Sequence, residues 1–362
     1  MTVHGGDVWQ VAAEQGIPAA DLLDFSANIN PRGLPLRAIE RLIRDASDSR
    51  LLKLYPDPSA RALREALGRH LGVPPDAIAV GPGAEALLAP ILRCLRARRV
   101  LVPVPAFSEY RRVCAQQDIE YVPFPLDRSQ LFRLPVDSLC RRIETKQADV
   151  VLLNNPHNPS GSLADACDVR CVFDAARSCG ATLLVDEAFI DYAPGETLAT
   201  EAAARQGLVV LRSLTKFYGC PALRVGYAVA DPETIRGIVS LLPTWPVTQL
   251  AMNALTEAVA ESAYAECTLR ENEVGRERLR ESLAALGLTV FPSAANYLLL
   301  ELSDTMRSSA ELRTRLIERH RILVRNCDSY EGLARRRYMR VAVRTAEENA
   351  RLVAALSEEL RA

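Results

Sequence analysis

The sequence predicts an α/β protein that has a large domain, built on a mainly parallel seven-stranded sheet, and a smaller α+β domain. Short β-branched runs alternate with helix-like segments over the first two thirds of the chain, and the composition changes after Pro243 to Pro246. Strands that alternate with helices are typical of a parallel sheet covered on both faces. At 362 residues the chain is also long enough for two domains.

Seven short apolar runs are the predicted strands of the large domain. They are Ile78 to Val80, Val100 to Val104, Tyr121 to Phe124, Val150 to Leu153, Thr182 to Val185, Val209 to Leu211 and Val225 to Val229. The segments between them, such as Ala84 to Leu95 and Asp168 to Cys179, have helical spacing. Ligands of such sheets bind beyond the carboxyl ends of the strands, so residues that follow a strand are the first candidates for a site.

The predicted domain boundaries follow the change in composition. We expect residues 1–45 to be an N-terminal segment that joins the small domain, residues 46–246 to be the large domain and residues 247–362 to be the small domain. The small domain begins with one or two long helices between Gln249 and Leu286. The elements predicted after them are strands at Ala295 to Leu302, Ile322 to Arg325 and Tyr338 to Val343, and a closing helix from about Ala346 to Leu360.

The composition excludes several classes of function. A formal net charge of -1 gives no reason to expect a nucleic-acid or anionic-membrane partner, and no apolar run approaches the roughly 20 residues that span a bilayer. The stretch from Met1 to Asp7 is not typical of a signal peptide, so we expect a cytoplasmic protein. The nine cysteines include no Cys-x-x-Cys pair, and Cys167 and Cys171 have no nearby histidine, so no metal site is predicted.

Two turns that follow predicted strands could bind a ligand. In the segment Gly81 to Glu85, two glycines let backbone amides approach an anion at a helix N-terminus, although a plain tight turn explains them about as well. The segment Asn154 to Gly161 is a rigid Pro- and Asn-rich turn whose amide side chains could point at a ligand or could only shape the turn.

Two further strand ends carry ionisable groups. Asp186 closes the fifth predicted strand and could cap a helix or could keep a heteroaromatic nitrogen protonated. Ser213, Thr215, Lys216 and Arg224 follow the next strand, and together they suit a phosphate beside an amine nucleophile. The other two lysines of the chain, Lys53 and Lys146, have no comparable hydroxyl and arginine neighbours in the sequence and are expected to be surface charges.

A glycine turn, an Asn, an Asp and a Lys in this order resemble the fold-type I aminotransferase superfamily of enzymes that use pyridoxal 5'-phosphate (PLP), and the resemblance covers nearly the whole chain. It implies that Lys216 carries the cofactor covalently and that Asp186 pairs with the pyridinium nitrogen. It also implies that Asn158 bonds the phenolic oxygen and that Phe107, with Tyr110 nearby, covers the ring.

The same resemblance implies a phosphate cup and a dimer. The residues that match the cup are Gly83, Ala84, Ser213, Thr215 and Arg224. Tyr55 looks like the residue that subunits of these homodimers lend to the neighbouring phosphate.

Within the superfamily the chain resembles two families, histidinol-phosphate aminotransferase and the threonine-phosphate decarboxylase of cobalamin biosynthesis. His4 to Gly6, the run Asp24 to Pro31, Asp186 to Asp191 and Val341 to Arg344 look like the decarboxylase. The aminotransferase usually has a tyrosine where this chain has Phe189, which also favours the decarboxylase.

The substrate of either family carries two anionic or polar ends. Arg325 and Arg340 match the superfamily's carboxylate-binding arginines, and arginine suits both carboxylate and phosphate. Asn158 is also expected to bind the substrate. His4 and Asn30 are the residues predicted to hold the substrate phosphate; the alternative for His4 is an ordinary tail residue.

Three functional hypotheses follow from these resemblances. The leading one is decarboxylation of a phosphorylated amino acid, L-threonine O-3-phosphate, by a PLP-dependent lyase. The second is transamination between histidinol phosphate and 2-oxoglutarate. The third is a non-catalytic effector-sensing domain on the same scaffold, against which the presence of Lys216 argues.

Overall fold

The computed structural model of the protein describes residues 5–146, 148–303 and 305–361. Its strands lie mostly in one large sheet and one small sheet. In chain order they are β1 Leu23–Asp24, β2 Ile78–Gly81, β3 Arg99–Val104, β4 Glu120–Pro125, β5 Val150–Asn154, β6 Thr182–Asp186, β7 Leu208–Ser213, β8 Gly226–Val229, β9 Thr289–Val290, β10 Tyr297–Glu301, β11 Ile322–Leu323, β12 Arg325–Asn326 and β13 Tyr338–Ala342.

The helices cover both faces of the large sheet and one side of the small one. In chain order they are α1 Val8–Gln15, α2 Leu36–Ser47, α3 Arg61–Leu71, α4 Ala84–Cys94, α5 Ser108–Gln116, α6 Val136–Lys146, α7 Ala166–Ser178, α8 Ala199–Ala204, α9 Leu214–Phe217, α10 Pro232–Val239, α11 Gln249–Val259, α12 Ser262–Ala284, α13 Ser309–His320 and α14 Ala346–Arg361. In the described part of the chain, no helix combines the length and the apolar character that crossing a membrane requires.

The large sheet has the strand order β2-β8-β7-β6-β5-β3-β4. β3 to β7 pair in parallel, whereas β8 is antiparallel to both of its neighbours. The prediction of a mainly parallel seven-stranded sheet is therefore confirmed. The predicted strands differ from the observed ones by one or two residues at their ends.

Both faces of this sheet are buried, which explains why its strands are apolar runs without alternation. Successive residues of β6 point to opposite faces: Leu183 and Val185 pack in the core on one side, and Leu184 packs in the core on the other. The first core is closed by helices that include α3, α7 and α11, and the second by α4, α5 and α10. The two cores fix the sheet, so the residues that follow its strands are held rigidly.

The small sheet has the order β12-β13-β10-β9 and is antiparallel. One strand predicted from Ile322 to Arg325 is in fact two, because the chain changes sheets at Val324. Leu323 pairs with β1, and Arg325 pairs with Arg340 of β13. This change of sheet brings Arg325 and Arg340 side by side.

The N-terminal segment packs against the C-terminal part of the chain. β1 pairs in parallel with β11, and the backbone nitrogen of Ala342 donates to the carbonyl oxygen of Phe25 at 2.9 Å. The division into residues 1–45, 46–246 and 247–362 stays a prediction, and this pairing is an observation in favour of its N-terminal part.

Candidate functional site

A pocket of about 410 Å³ lies beyond the carboxyl ends of β5, β6 and β7. Its walls come from the turn after β2, the turns after β5 and β7, the start of α5, and residues of the N-terminal segment and of the small sheet. This is the expected place for a ligand on a parallel sheet. Most of the predicted site residues line this pocket: Gly83, Ala84, Phe107, Asn158, Asp186, Ser213, Thr215, Lys216, Arg224, Arg325 and Arg340.

Lys216 and Asp186 lie in the pocket as an interacting pair. Burial, together with the cations of Arg340 and Arg224, lowers the pKa of the Lys216 amine to about 8, whereas Asp186 acts in the opposite direction. Burial also raises the pKa of Asp186 to about 6. Lys53 is exposed, and the side chain of Lys146 lies outside the described residues. Lys216 is thus a buried amine that loses its proton at an unusually low pH.

The hydroxyl of Tyr110 orients the carboxylate of Asp186. It donates to Oδ2 at 2.5 Å, and the backbone nitrogen of Ala188 donates to Oδ1 at 3.0 Å. Tyr110 is 1% exposed, and its ring meets the Phe107 ring edge-on at 5.7 Å between centroids. In the sequence, Tyr110 stands out only as a neighbour of Phe107. Its contact with Asp186 could not be predicted, because the two residues are 76 positions apart in the chain.

An anion-binding cup forms at the N-terminus of α4. Gly83 caps this helix with φ 99°, and a Cβ there would lie 2.9 Å from Nη2 of Arg224, so the glycine lets the guanidinium approach. The hydroxyls of Ser213 and Thr215 lie 2.8 Å apart at the start of α9. Free helix N–H groups, hydroxyl groups and a guanidinium suit a phosphate.

Gly226 of β8 brings the two halves of the cup together. It pairs with both Gly81 of β2 and Ser213 of β7, and a Cβ on it would lie 2.3 Å from the backbone nitrogen of Ala84. Only a glycine therefore allows the turn after β2 to pack against β8. The role of Gly226 could not be predicted from the sequence, because it depends on the pairing of distant strands.

The loop that carries Asn158 is held by buried hydrogen bonds. The Asn154 Oδ1 accepts from the backbone nitrogen of Asn158 at 2.7 Å, and His157 Nε2 donates to the Pro105 carbonyl oxygen at 2.7 Å. Burial lowers the pKa of His157 to about 4, so the ring is neutral and can accept from the Ser160 hydroxyl through Nδ1. His157 thereby ties the Asn158 loop to the loop that precedes Phe107.

Asn158, Arg340 and Tyr330 form a buried cluster on the small-sheet side of the pocket. Arg340 Nη1 donates to Asn158 Oδ1 at 2.5 Å and to the Tyr330 hydroxyl at 3.0 Å. The Tyr330 hydroxyl donates to the same Asn158 oxygen at 3.1 Å. Arg325 lies 5.5 Å from the centroid of the Tyr330 ring, and its Nη2 donates to the Ser329 hydroxyl at 2.6 Å. Sequence reasoning missed Tyr330, which lies in a loop without a motif.

The expectation for Asn30 needs correction. Its Nδ2 donates to the Phe217 carbonyl oxygen at 2.7 Å and to the Tyr264 hydroxyl at 3.0 Å, and its Oδ1 accepts from the backbone nitrogen of Arg32 at 3.1 Å. Asn30 therefore stabilises the backbone around Lys216 and Phe217 through hydrogen bonds. It lines a separate groove of about 900 Å³ between α12 and α14. Asn28 lines the ligand pocket instead, and its Oδ1 is buried without a partner among the described residues.

Two other predicted residues lie outside the pocket. Tyr55 is 76% exposed and stacks on Trp245 with 4.3 Å between ring centroids. Because its predicted role was in a neighbouring subunit, that role stays a prediction. His4 lies outside the described residues.

Comparisons with known proteins agree with this architecture. The family model for aminotransferase class I and II matches residues 20–356. The chain is 37% identical to the threonine-phosphate decarboxylase of Salmonella typhimurium, over 99% of this chain and 97% of that protein. It is 30% identical to the adenosylcobalamin biosynthesis bifunctional protein CobDQ of Leptospira interrogans, over 98% of this chain but 40% of that protein.

Among solved structures, the chain is similar to the histidinol-phosphate aminotransferase of Sinorhizobium meliloti in complex with pyridoxal-5'-phosphate. The TM-score is 0.87 at 25% identity, over 97% of this chain and 94% of that one. The family model spans nearly the whole chain and includes every strand of the large sheet. The chain therefore belongs to the aminotransferase class I and II family.

Proposed function

We propose that the protein is a PLP-dependent decarboxylase that converts L-threonine O-3-phosphate to (R)-1-aminopropan-2-ol O-phosphate and carbon dioxide. The observation that carries this proposal is the 37% identity, over 99% of the chain, to a protein named threonine-phosphate decarboxylase. The similarity to the bifunctional protein CobDQ supports a role in cobalamin biosynthesis.

The residues of the pocket fit PLP. The cup formed by Gly83, Ala84, Ser213, Thr215 and Arg224 suits its phosphate. Lys216 suits its aldehyde, because an amine whose pKa is about 8 is partly neutral near pH 7. A pyridinium beside the buried Asp186 would place a further positive charge next to this carboxylate and so would lower the pKa of Asp186.

When bound, PLP supplies an electron-accepting ring that takes up the electron pair of a bond broken at the substrate Cα. The protein decides which bond breaks by fixing the substrate carboxylate. We assign that task to Arg340 and Arg325, which lie in paired positions of β13 and β12 and line the pocket. After carbon dioxide has left, the Lys216 amine is the group that returns a proton to Cα.

The arginines orient the substrate but do not supply the acceleration. A hydrogen bond to a charged group contributes about 1.5–3 kcal/mol net, whereas enzymes commonly lower barriers by about 8–23 kcal/mol. Asp186 and the bound cofactor must therefore account for most of the rate, and the arginines account for the choice of bond.

Transamination of histidinol phosphate is the second candidate, and the similarity to the Sinorhizobium meliloti aminotransferase favours it. Phe189 argues for the decarboxylase, because its ring packs edge-on against Tyr297 at 5.0 Å and offers no hydroxyl to the cofactor.

Incubation of the PLP-loaded protein with L-threonine O-phosphate, without 2-oxoglutarate, should release carbon dioxide and the amino alcohol phosphate. Transfer of the histidinol phosphate amine to 2-oxoglutarate with comparable kcat/KM would reject the decarboxylase. Turnover of either substrate excludes a sensing domain without activity.

We further propose that the protein is a cytoplasmic homodimer. Large apolar side chains are exposed on α2 and in the segment after it; examples are Leu36, Ile43, Leu54 and Tyr55, which are 68%, 62%, 67% and 76% exposed. Such a surface suits a second copy of the chain. All nine cysteines are free, as is usual in a reducing compartment. Light scattering of the protein should give twice the monomer mass. The double variant Ile43→Glu/Leu54→Glu should give a lower mass, because the two carboxylates disrupt the apolar surface.

A further inference from the structure

Tyr330 joins the small-sheet residues of the pocket to one another. It lies in the loop between β12 and β13 and is 6% exposed. Its hydroxyl donates to Asn158 Oδ1 at 3.1 Å and accepts from Arg340 Nη1 at 3.0 Å, while its ring faces the Arg325 guanidinium at 5.5 Å. One side chain therefore contacts both arginines that we assign to the substrate, and Asn158 as well.

The hydrogen bonds of Arg340 leave one part of its guanidinium available. Both hydrogens of Nη1 are engaged, by Asn158 and by Tyr330, and Nη2 donates to the Ser26 carbonyl oxygen at 2.9 Å. Nε is buried without a partner among the described residues. A guanidinium has five N–H donors, so Nε and one hydrogen of Nη2 remain, and these can bind the two oxygens of a carboxylate.

The same contacts determine which way the Asn158 amide points. Arg340 can only donate, so the atom that it contacts must be the amide oxygen. This oxygen accepts two hydrogen bonds on the small-sheet side, which leaves the Nδ2 group as a donor for other partners. Because Tyr330 donates to the oxygen, it also polarises the amide and strengthens its N–H groups as donors.

We propose that Tyr330 is a positioning residue that locks Arg340 for the substrate carboxylate and Asn158 for the cofactor, an inference that rests on the proposed decarboxylase function. Without the Tyr330 hydroxyl, one hydrogen of Nη1 loses its acceptor, and the guanidinium can turn away from the orientation that keeps Nε and one hydrogen of Nη2 available for the carboxylate. Tyr330 thus acts through Arg340 and Asn158.

The test compares Tyr330→Phe with a matched control. Tyr338→Phe also removes a buried tyrosine hydroxyl from this domain, one that donates to Glu301 Oε1 at 2.9 Å outside the pocket. We expect Tyr330→Phe to lower kcat/KM for L-threonine O-phosphate by about 10- to 100-fold, the range of a charged hydrogen bond. The inhibition constant of (R)-1-aminopropan-2-ol O-phosphate, which has no carboxylate, should stay within about twofold, and Tyr338→Phe should change neither value.

A double-mutant cycle tests whether the effect passes through Arg340. In the Arg340→Met background, Tyr330→Phe should cost less than about threefold in kcat/KM. An undiminished cost there, or an equal loss of affinity for the ligand without a carboxylate, would overturn the proposal.

The absorption spectrum gives a readout that does not depend on turnover. Tyr330→Phe should raise the pH midpoint at which the visible band of the bound cofactor titrates, because a less polarised Asn158 amide stabilises the ionised phenolic oxygen less. An unchanged midpoint would contradict the part of the inference that concerns Asn158. If the wild-type protein does not decarboxylate the substrate, the proposed function fails whatever the variants do, so the two failures are distinguishable.

Discussion

The low pKa of Lys216 predicts how fast the protein without cofactor captures PLP at each pH. Burial, with the cations of Arg340 and Arg224, lowers this pKa from 10.5 to about 8, and only the neutral amine attacks an aldehyde. At pH 7 a pKa of about 8 leaves about 9% of the amine neutral, against about 0.03% for an ordinary lysine. The ratio is roughly 300-fold, equivalent to about 3 kcal/mol.

Stopped-flow mixing of the apoprotein with PLP, followed by visible absorbance, measures this dependence. The rate constant should rise steeply from pH 7 and level off above about pH 8.5, because the amine is then mostly neutral. This range also keeps the phosphate of PLP mostly dianionic, since its second pKa is about 6. A rate constant that still rises tenfold between pH 9 and pH 10 would refute the reasoning.

Arg340→Met sharpens this test. Because it removes a cation that lowers the pKa of Lys216, the pH profile should move to higher pH, and capture at pH 7 should slow. Arg351→Met is the charge-matched control, since Arg351 is exposed on α14 and is not a cause of the Lys216 shift. An equal displacement of the profile in both variants would mean that net charge, and not the pocket, sets it.

Three further substitutions test the pocket and the buried ion pair between Arg212 and Asp191. Lys216→Ala should abolish the visible band of the lysine-bound cofactor and all decarboxylation; a persistent band would place the cofactor on another lysine. Arg212→Met should cost about 3–5 kcal/mol in the free energy of unfolding measured with urea, because the Arg212 side chain is 3% exposed and its loss leaves the carboxylate of Asp191 unpaired; a cost below about 1 kcal/mol would contradict this. Gly226→Ala should weaken PLP binding at least tenfold in a fluorescence titration, because the added Cβ would displace Ala84 at the start of the phosphate cup; unchanged affinity would show that the turn can shift freely.

The large sheet and the pocket residues at its edge could be predicted because their signals are local. Strands buried on both faces are apolar runs, and parallel strands collect the residues that follow them at one edge. Asp186 was therefore located from its place at the carboxyl end of β6, and Lys216 from its place after β7, and the structure brings them together.

The small-sheet side of the pocket could not be predicted in the same way. Asn28 and Asn30 stand in one short run, and only contacts with Phe217 and Tyr264, about 190 and 230 residues away in sequence, turn Asn30 out of the pocket. Tyr330 bonds Asn158, a residue 172 positions earlier. No periodicity in a single sequence indicates a pairing over such distances.

The pairing of β1 with β11 has a consequence for the order in which the protein is made. β1, at Leu23–Asp24, can pair with β11 only after Ile322 and Leu323 have been synthesised. The hydrogen bond from Arg340 Nη2 to the Ser26 carbonyl oxygen forms later still. The phosphate cup and Lys216 are complete about one hundred residues earlier on the ribosome. The half of the pocket that selects the substrate is thus the last part of the site to be synthesised.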